Sequence, residues 1–142
     1  MDPTDTVEGR TDFIERGVET TKTRDVEAYG KLIADDLQYE DVASGTVLEG
    51  KEAFLDYYRG WLRTFPDFEM TTFASAITSE MAAVPWVITA TFGDPLPGLS
   101  PEVPRGSRVT LKGISTVEFA KGDLISAIKE YYVVAEVAPP AS

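Results

Sequence analysis

Neither cysteine nor histidine occurs anywhere in the 142-residue chain. Without cysteine there is no disulfide and no thiol nucleophile. Without histidine the commonest general base and the commonest metal ligand are both gone. A zinc site would have to be built from carboxylates alone, against that metal's usual preference for nitrogen and sulfur. Proton transfer therefore falls to Asp, Glu, Lys or Tyr. Basic residues are also scarce: 13 Lys and Arg against 24 Asp and Glu leave a formal net charge of −11. They form no cluster, which disfavours nucleic acid as a partner, because phosphate contact needs concentrated positive charge. No Gly-rich phosphate loop is present either, so neither metal nor nucleotide cofactor is expected. No apolar run approaches the ~20 residues of a membrane span. The opening Met1-Asp2-Pro3-Thr4-Asp5 is acidic and polar, unlike a secretory signal. The expectation is a cytoplasmic protein without membrane contact. Its acidity reads as solubility, as in a high-salt cytoplasm.

What is present is ordinary globular material. Hydrophobic residues make up 43% and charged residues 26%. A chain of this length fits one domain, here residues 1–142, with a flexible lead over 1–9 and a tail over 136–142. It is long enough to bury roughly 68–70% of its unfolded surface without staples.

The hydrophobic period changes once along the chain. Thr11 to about Lys22 predicts a weakly apolar helix. Asp25 caps a second helix, with Val26, Tyr29, Leu32 and Ile33 on one face, that runs to Asp35-Asp36. Leu37 to Asp41 alternates as a short strand. Glu49-Gly50-Lys51 then opens a third helix, with Phe54, Tyr57, Tyr58, Trp61, Leu62 and Phe65 in one continuous stripe before Pro66. After Pro66 the alternation is that of strands: Phe68 to about Ile77, Met81 to Phe92, Ser107 to Phe119 and Leu124 to Val134. Lys121-Gly122-Asp123 turns the last hairpin. The loop from Gly93 to Arg105 holds four prolines and is long for a compact domain, as functional loops and dimer elements are.

Three helices cannot cover both faces of such a sheet. An α+β fold resolves this: a curved antiparallel sheet wraps around three N-terminal helices on its concave face and leaves an internal pocket at the open end. The convex face then needs water or a second subunit, so a homodimer is expected.

Several stretches resemble the SnoaL-like polyketide cyclase branch of the nuclear transport factor 2-like superfamily. They are Thr23-Arg24-Asp25-Val26-Glu27-Ala28, Leu37 to Asp41 with Leu48 to Phe54, Phe65-Pro66-Asp67-Phe68, and the closing hairpin from Pro104 to Ile125. The resemblance runs from about residue 10 to residue 135. It implies the cone-shaped fold but no single reaction, because this fold hosts isomerases, cyclases, epoxide hydrolases and plain binding proteins. SnoaL-like cyclases are similar in following an aromatic pair on the last strand with an acid. Here Tyr131-Tyr132 is followed by Val133. Limonene epoxide hydrolase relatives have a counterpart of Tyr39, but their middle-strand Arg and Asp are replaced by Trp86, Ile88 and Ala90.

Asp41 is the leading catalytic candidate. It ends the first strand on the same face as Tyr39, and a carboxylate walled by apolar groups is poised for proton transfer near neutral pH. The competing structural role is a cap for the Ala43-Ser44-Gly45 turn. The resemblance turns Lys129, Tyr131 and Val133 toward the pocket. Tyr39 and Tyr131 would then be hydrogen-bond donors to a carbonyl or enolate, with Lys129 beside them. Glu69, next to Asp67, is a candidate second acid, and Tyr58, Trp61 and Trp86 are candidate pocket walls. The expected activity is cofactor-free cyclisation, isomerisation or epoxide opening of an apolar polyketide, steroid or terpenoid-like molecule. The alternative is a non-catalytic binding or dimerisation module of the same fold.

Overall fold

The computed structural model describes residues 5–95, 103–122 and 124–140. Its elements run in the order α1 (Val7–Lys22), α2 (Val26–Gly30), β1 (Ile33–Asp41), β2 (Thr46–Glu49), α3 (Lys51–Thr64), β3 (Glu69–Thr72), β4 (Ala76–Ile77), β5 (Met81–Thr91), β6 (Arg108–Ala120) and β7 (Leu124–Ala138).

Local chemistry explains most of the boundaries. The Thr6 side chain caps α1 by accepting from the Gly9 amide at 3.0 Å, and Asp25 caps α2 by accepting from the Ala28 amide at 3.0 Å. Gly50, at φ 96°, makes the positive-φ corner that opens α3. Pro66 follows the helix end at Thr64.

The sheet is curved and open, in the order β2-β1-β7-β6-β5-β3, with β4 also paired to β5. It is mixed rather than purely antiparallel. Strands β5, β6 and β7 form the expected meander, but β1 arrives from the helical half and lies parallel to β7. The helices pack on the concave face. One apolar cluster lies between helices and sheet around Phe13, Ile33, Leu37, Phe54 and Ile128. A second lies at the other end around Phe65, Phe68, Ile88, Phe92 and Leu111, and Trp61 and Leu62 join the two.

Four boundaries depart from the sequence reading. First, α2 stops at Gly30, so Leu32, Ile33 and Asp35-Asp36 are not helical. A Cβ at residue 30 would meet Leu55 Cδ1 at 3.1 Å, which suits a glycine packed hard against α3. Second, the expected strand from Phe68 to Ile77 is broken into β3 and β4. Both pair with β5, on either side of Pro85, which has no N–H to donate to a ladder. Third, the expected flexible lead is already ordered from Asp5. Arg10, 2% exposed, donates to the carbonyls of Ser79, Ala120 and Gly122 and to the Asp5 carboxylate, tying α1 to the closing hairpin. Fourth, β7 continues through most of the expected tail, to Ala138, because Glu136, Val137 and Ala138 pair with Thr110, Val109 and Arg108. The centre of the proline loop, residues 96–102, lies outside the described residues.

Candidate active site

Between the helices and the concave sheet is a cavity with about 1030 Å³ of empty space, its open mouth included. Its acids come from the sheet. Burial alternates along the end of β1, with Leu37, Tyr39 and Asp41 inward. Asp41 is 1% exposed. In the parallel register it stands beside Glu130 of β7, and Glu130 in turn stands beside Ser115 of β6. Asp41, Glu130 and Ser115 therefore form one row across three strands, all lining the cavity.

Both oxygens of Asp41, the Ser115 hydroxyl and one oxygen of Glu130 have defined partners. Tyr57 of α3 and Tyr132 of β7 both donate to Asp41 Oδ2, each at 2.9 Å. The Ser44 amide donates to Asp41 Oδ1 at 3.0 Å. The turn-capping and cavity-facing roles thus coexist on different oxygens of one carboxylate. Trp86 Nε1 donates to Ser115 Oγ at 2.8 Å, and Ser115 donates to Glu130 Oε2. An indole N–H is a donor only, so it directs the serine hydroxyl proton toward Glu130.

Glu130 carries the electrostatic signature of the site. Burial, reinforced by the negative charge of Asp41, pushes its carboxyl up from 4.5 to about 7, against the opposing hydrogen bond from Ser115. Burial likewise pushes the Tyr57 phenol up to about 12, and raises Tyr39 and Tyr132 further still. The tyrosines are therefore neutral donors at physiological pH. Among these groups, Glu130 is the one whose carboxyl is pushed toward neutral pH.

Of the residues singled out from the sequence, Asp41, Tyr39, Tyr58, Trp61 and Trp86 line the cavity. Tyr131, Lys129 and Glu69 do not. Tyr131 is 40% exposed and Val133 63% exposed on the outer face, and Lys129 is exposed beside them. The cause is a bulge. Phe119 pairs with Ile125 but Glu118 pairs with Ala127, which leaves Ser126 as an extra residue and inverts the inward phase of β7. Glu130 and Tyr132 point inward as a result. Glu69 is exposed on the edge strand β3. Asp67, two residues earlier, is held by Thr91 and Arg108: desolvation, the largest single effect, raises its carboxyl, but the Thr91 hydrogen bonds and the Arg108 charge together keep it below the usual range.

Sequence reasoning missed Glu130, Tyr132, Ser115 and the role of Tyr57. A signal for the first two was present in Ile125 and Ile128. Two core positions three apart on one strand imply an extra residue between them.

An open α+β sheet closed by helices over an acid-bearing, aromatic-walled cavity places the chain in a class of α+β folds with an internal cavity. The comparisons narrow that class. The SnoaL-like domain family model matches residues 14–128, and the chain belongs to that family. Solved structures show the same fold at low identity. An epoxide hydrolase/cyclase-like enzyme, SalBIII, with a role in pyran ring formation in the polyether salinomycin, is 14% identical at TM-score 0.73, covering 93% of this chain and 96% of its own. The Δ5-3-ketosteroid isomerase from Mycobacterium sp. is 22% identical at TM-score 0.65, with 87% and 92% covered. An NTF2-like protein from Cytophaga hutchinsonii ATCC 33406 is 13% identical at TM-score 0.66, with 86% and 97% covered. A comparison with curated protein sequences finds no match. Among the described residues no helix is long and apolar enough to cross a membrane.

Proposed function

We propose that the protein is a cofactor-free acid–base enzyme acting on a small, largely apolar molecule by cyclisation, isomerisation or epoxide opening. The observation that carries this reading is the Asp41–Glu130 pair on adjacent strands inside an aromatic cavity. Two carboxyls at one site do not ionise together easily, so one keeps its proton and the other its charge. Asp41, with three protein donors on its oxygens, is the charged member. Glu130, pushed toward 7, is the member that gives and takes the proton. Tyr57 and Tyr132 hold Asp41 in place. Tyr39, Trp61 and Trp86 wall the substrate and keep out water. The epoxide hydrolase/cyclase-like enzyme and the ketosteroid isomerase among the structural neighbours support this reading by analogy.

The test uses both reaction classes. Wild type, Glu130→Gln and Asp41→Asn are assayed with a Δ5-3-ketosteroid and with an aryl-substituted hydroxy-epoxide. Wild type is expected to turn over one of the two. Glu130→Gln should slow it by ~10²–10⁴-fold, the usual cost of a lost acid–base group, and Asp41→Asn should slow it markedly. Equal rates in wild type and Glu130→Gln, or binding of both compounds without turnover, would favour a plain binding module.

The same reading includes a homodimer built on the outer sheet face. There Tyr131 of β7 stands beside Ile114 of β6 and Pro85 of β5, and Val133 stands beside Lys112 and Val87. Phe73, 53% exposed, extends this strip past Pro85, to whose carbonyl its amide donates. An apolar strip of this kind, interrupted at the exposed Lys112, favours a two-fold contact between copies.

A further inference from the structure

The two oxygens of Glu130 have unlike surroundings. Oε2 accepts from Ser115 of β6. Oε1 has no hydrogen-bond partner among the described residues and, unlike the Tyr58 and Ser107 hydroxyls, is within reach of water. Glu130 lines the cavity, so Oε1 opens onto it. The Ser115 hydroxyl is itself held. Trp86 Nε1 donates to its oxygen at 2.8 Å. That indole is wedged: its ring stands 6.1 Å from the ring of Tyr132, and a Cβ on Gly113 would lie 2.8 Å from its Cζ2. An indole N–H gives a hydrogen bond and cannot take one, so the serine accepts from Trp86 and has its one proton for Glu130. A proton on Oε2 would break this pattern. Ser115 would then accept from both Trp86 and Glu130, and its own proton would have no acceptor among the described residues, which is costly inside a fold. A proton on Oε1 leaves all three groups matched.

Few other groups act on this carboxyl. Asp41 is the only other acid among the cavity-lining residues, and no Lys or Arg is among them. The lining residues of α1, β3, β5 and β6 carry no titratable side chain. Tyr39 of β1, Tyr29 of α2, Tyr57 and Tyr58 of α3 and Tyr132 of β7 keep their phenol protons at neutral pH, because burial raises each of them.

We propose that Trp86 and Ser115 are positioning residues that keep the exchangeable proton of Glu130 on Oε1, facing the substrate. When that proton leaves for a substrate atom, the O–H electron pair stays on the carboxylate, and the Ser115 hydrogen bond at Oε2 meets the charge. The reverse step returns the proton to Oε1. The reacting atom of the substrate must therefore approach Oε1 rather than Oε2. The proposal deepens the acid–base reading and rests on it for the role of Glu130.

The test needs no substrate. Carbon-13 NMR of the glutamate carboxyls follows Glu130 in wild type, Ser115→Ala, Trp86→Phe and the double variant. Glu130→Gln assigns the signal, and a thermal melt checks that each variant folds. A serine that donates favours the charged carboxylate, so Ser115→Ala should raise the Glu130 midpoint by about one to two pH units. A serine that accepts would favour the acid, and its loss would lower the midpoint. Trp86→Phe alone should also raise the midpoint, because the freed serine can turn to accept from the acid. In that background the further loss of Ser115 should move the midpoint by clearly less than it does beside Trp86. A fall or no change in Ser115→Ala would overturn the proposal, and an equal rise in both backgrounds would overturn the part given to Trp86. The wild-type midpoint tests the acid–base reading separately: a value near 7 upholds it and one near 4.5 overturns it. In either case the direction of the Ser115→Ala shift decides whether Ser115 donates.

Discussion

Glu130 links function to stability at the level of one residue. Burial pushes its carboxyl up to about 7 in the folded protein from the 4.5 of an exposed chain. Between those values the folded state holds a proton that the unfolded state has released. The contribution to stability is full below 4.5, declines as pH rises toward about 7, and is flat above. The decline amounts to up to about 3 kcal/mol, less as water enters the cavity mouth. Glu130→Gln cannot ionise, so it escapes the loss. Melting curves from about pH 5 to about pH 8 should show the variant gaining on wild type as pH rises. Parallel curves would mean that Glu130 ionises freely. Asp41 shows how much of such a site a sequence makes legible. Its strand-end position and its alternation with Tyr39 suffice to find it. Its donors, Tyr57 from α3 and Tyr132 from β7, are 16 and 91 residues away, and no local pattern announces such a meeting.

At the level of elements, period and punctuation located the three helices and the meander, because capping, Gly50 and Pro66 act within a few residues. Phase along β7 was harder. A strand's inward face is set by its pairing register, and one bulge at Ser126 exchanges the faces for the residues from Ala127 to Val134, where a second register shift follows. The resemblance to SnoaL-like cyclases placed the acid after the aromatic pair, whereas here the inward acid, Glu130, precedes it. Val133 is therefore no gap in the site, because it never faces the cavity. Gly113 shows a similar long-range demand. A Cβ there would lie 2.3 Å from the Tyr131 carbonyl oxygen and 2.8 Å from Trp86 Cζ2. The missing side chain lets the indole of Trp86 cross β6 and reach Ser115. Nothing near Gly113 in sequence reveals that need. The parallel pairing of β1 with β7 likewise joins segments from opposite ends of the chain, and it sets Asp41 next to Glu130.

For the whole molecule, the curved sheet has two unlike faces. The concave face is closed by helices over the cavity, and the outer face keeps Tyr131, Val133 and Phe73 in contact with solvent. A homodimer should therefore form, and light scattering at micromolar concentration should give twice the 15.5 kDa of one chain. Val133→Lys, which sets a charge within the strip, should yield the monomer without loss of fold. A wild-type protein of 15.5 kDa under the same conditions would rule the interface out. The acidity of the chain bears on this contact: with a net charge of −11 on each copy, association should strengthen with added salt.

The proposed chemistry depends on one proton, held on Glu130 inside the cavity at neutral pH. Carbon-13 NMR of the glutamate carboxyls, titrated in wild type and in Glu130→Gln, observes that proton without any substrate. One wild-type carboxyl signal should titrate near 7, apart from the others, and it should be missing from the variant. If every glutamate carboxyl titrates near the ordinary 4.5, the pair at Asp41 and Glu130 is not an acid–base site.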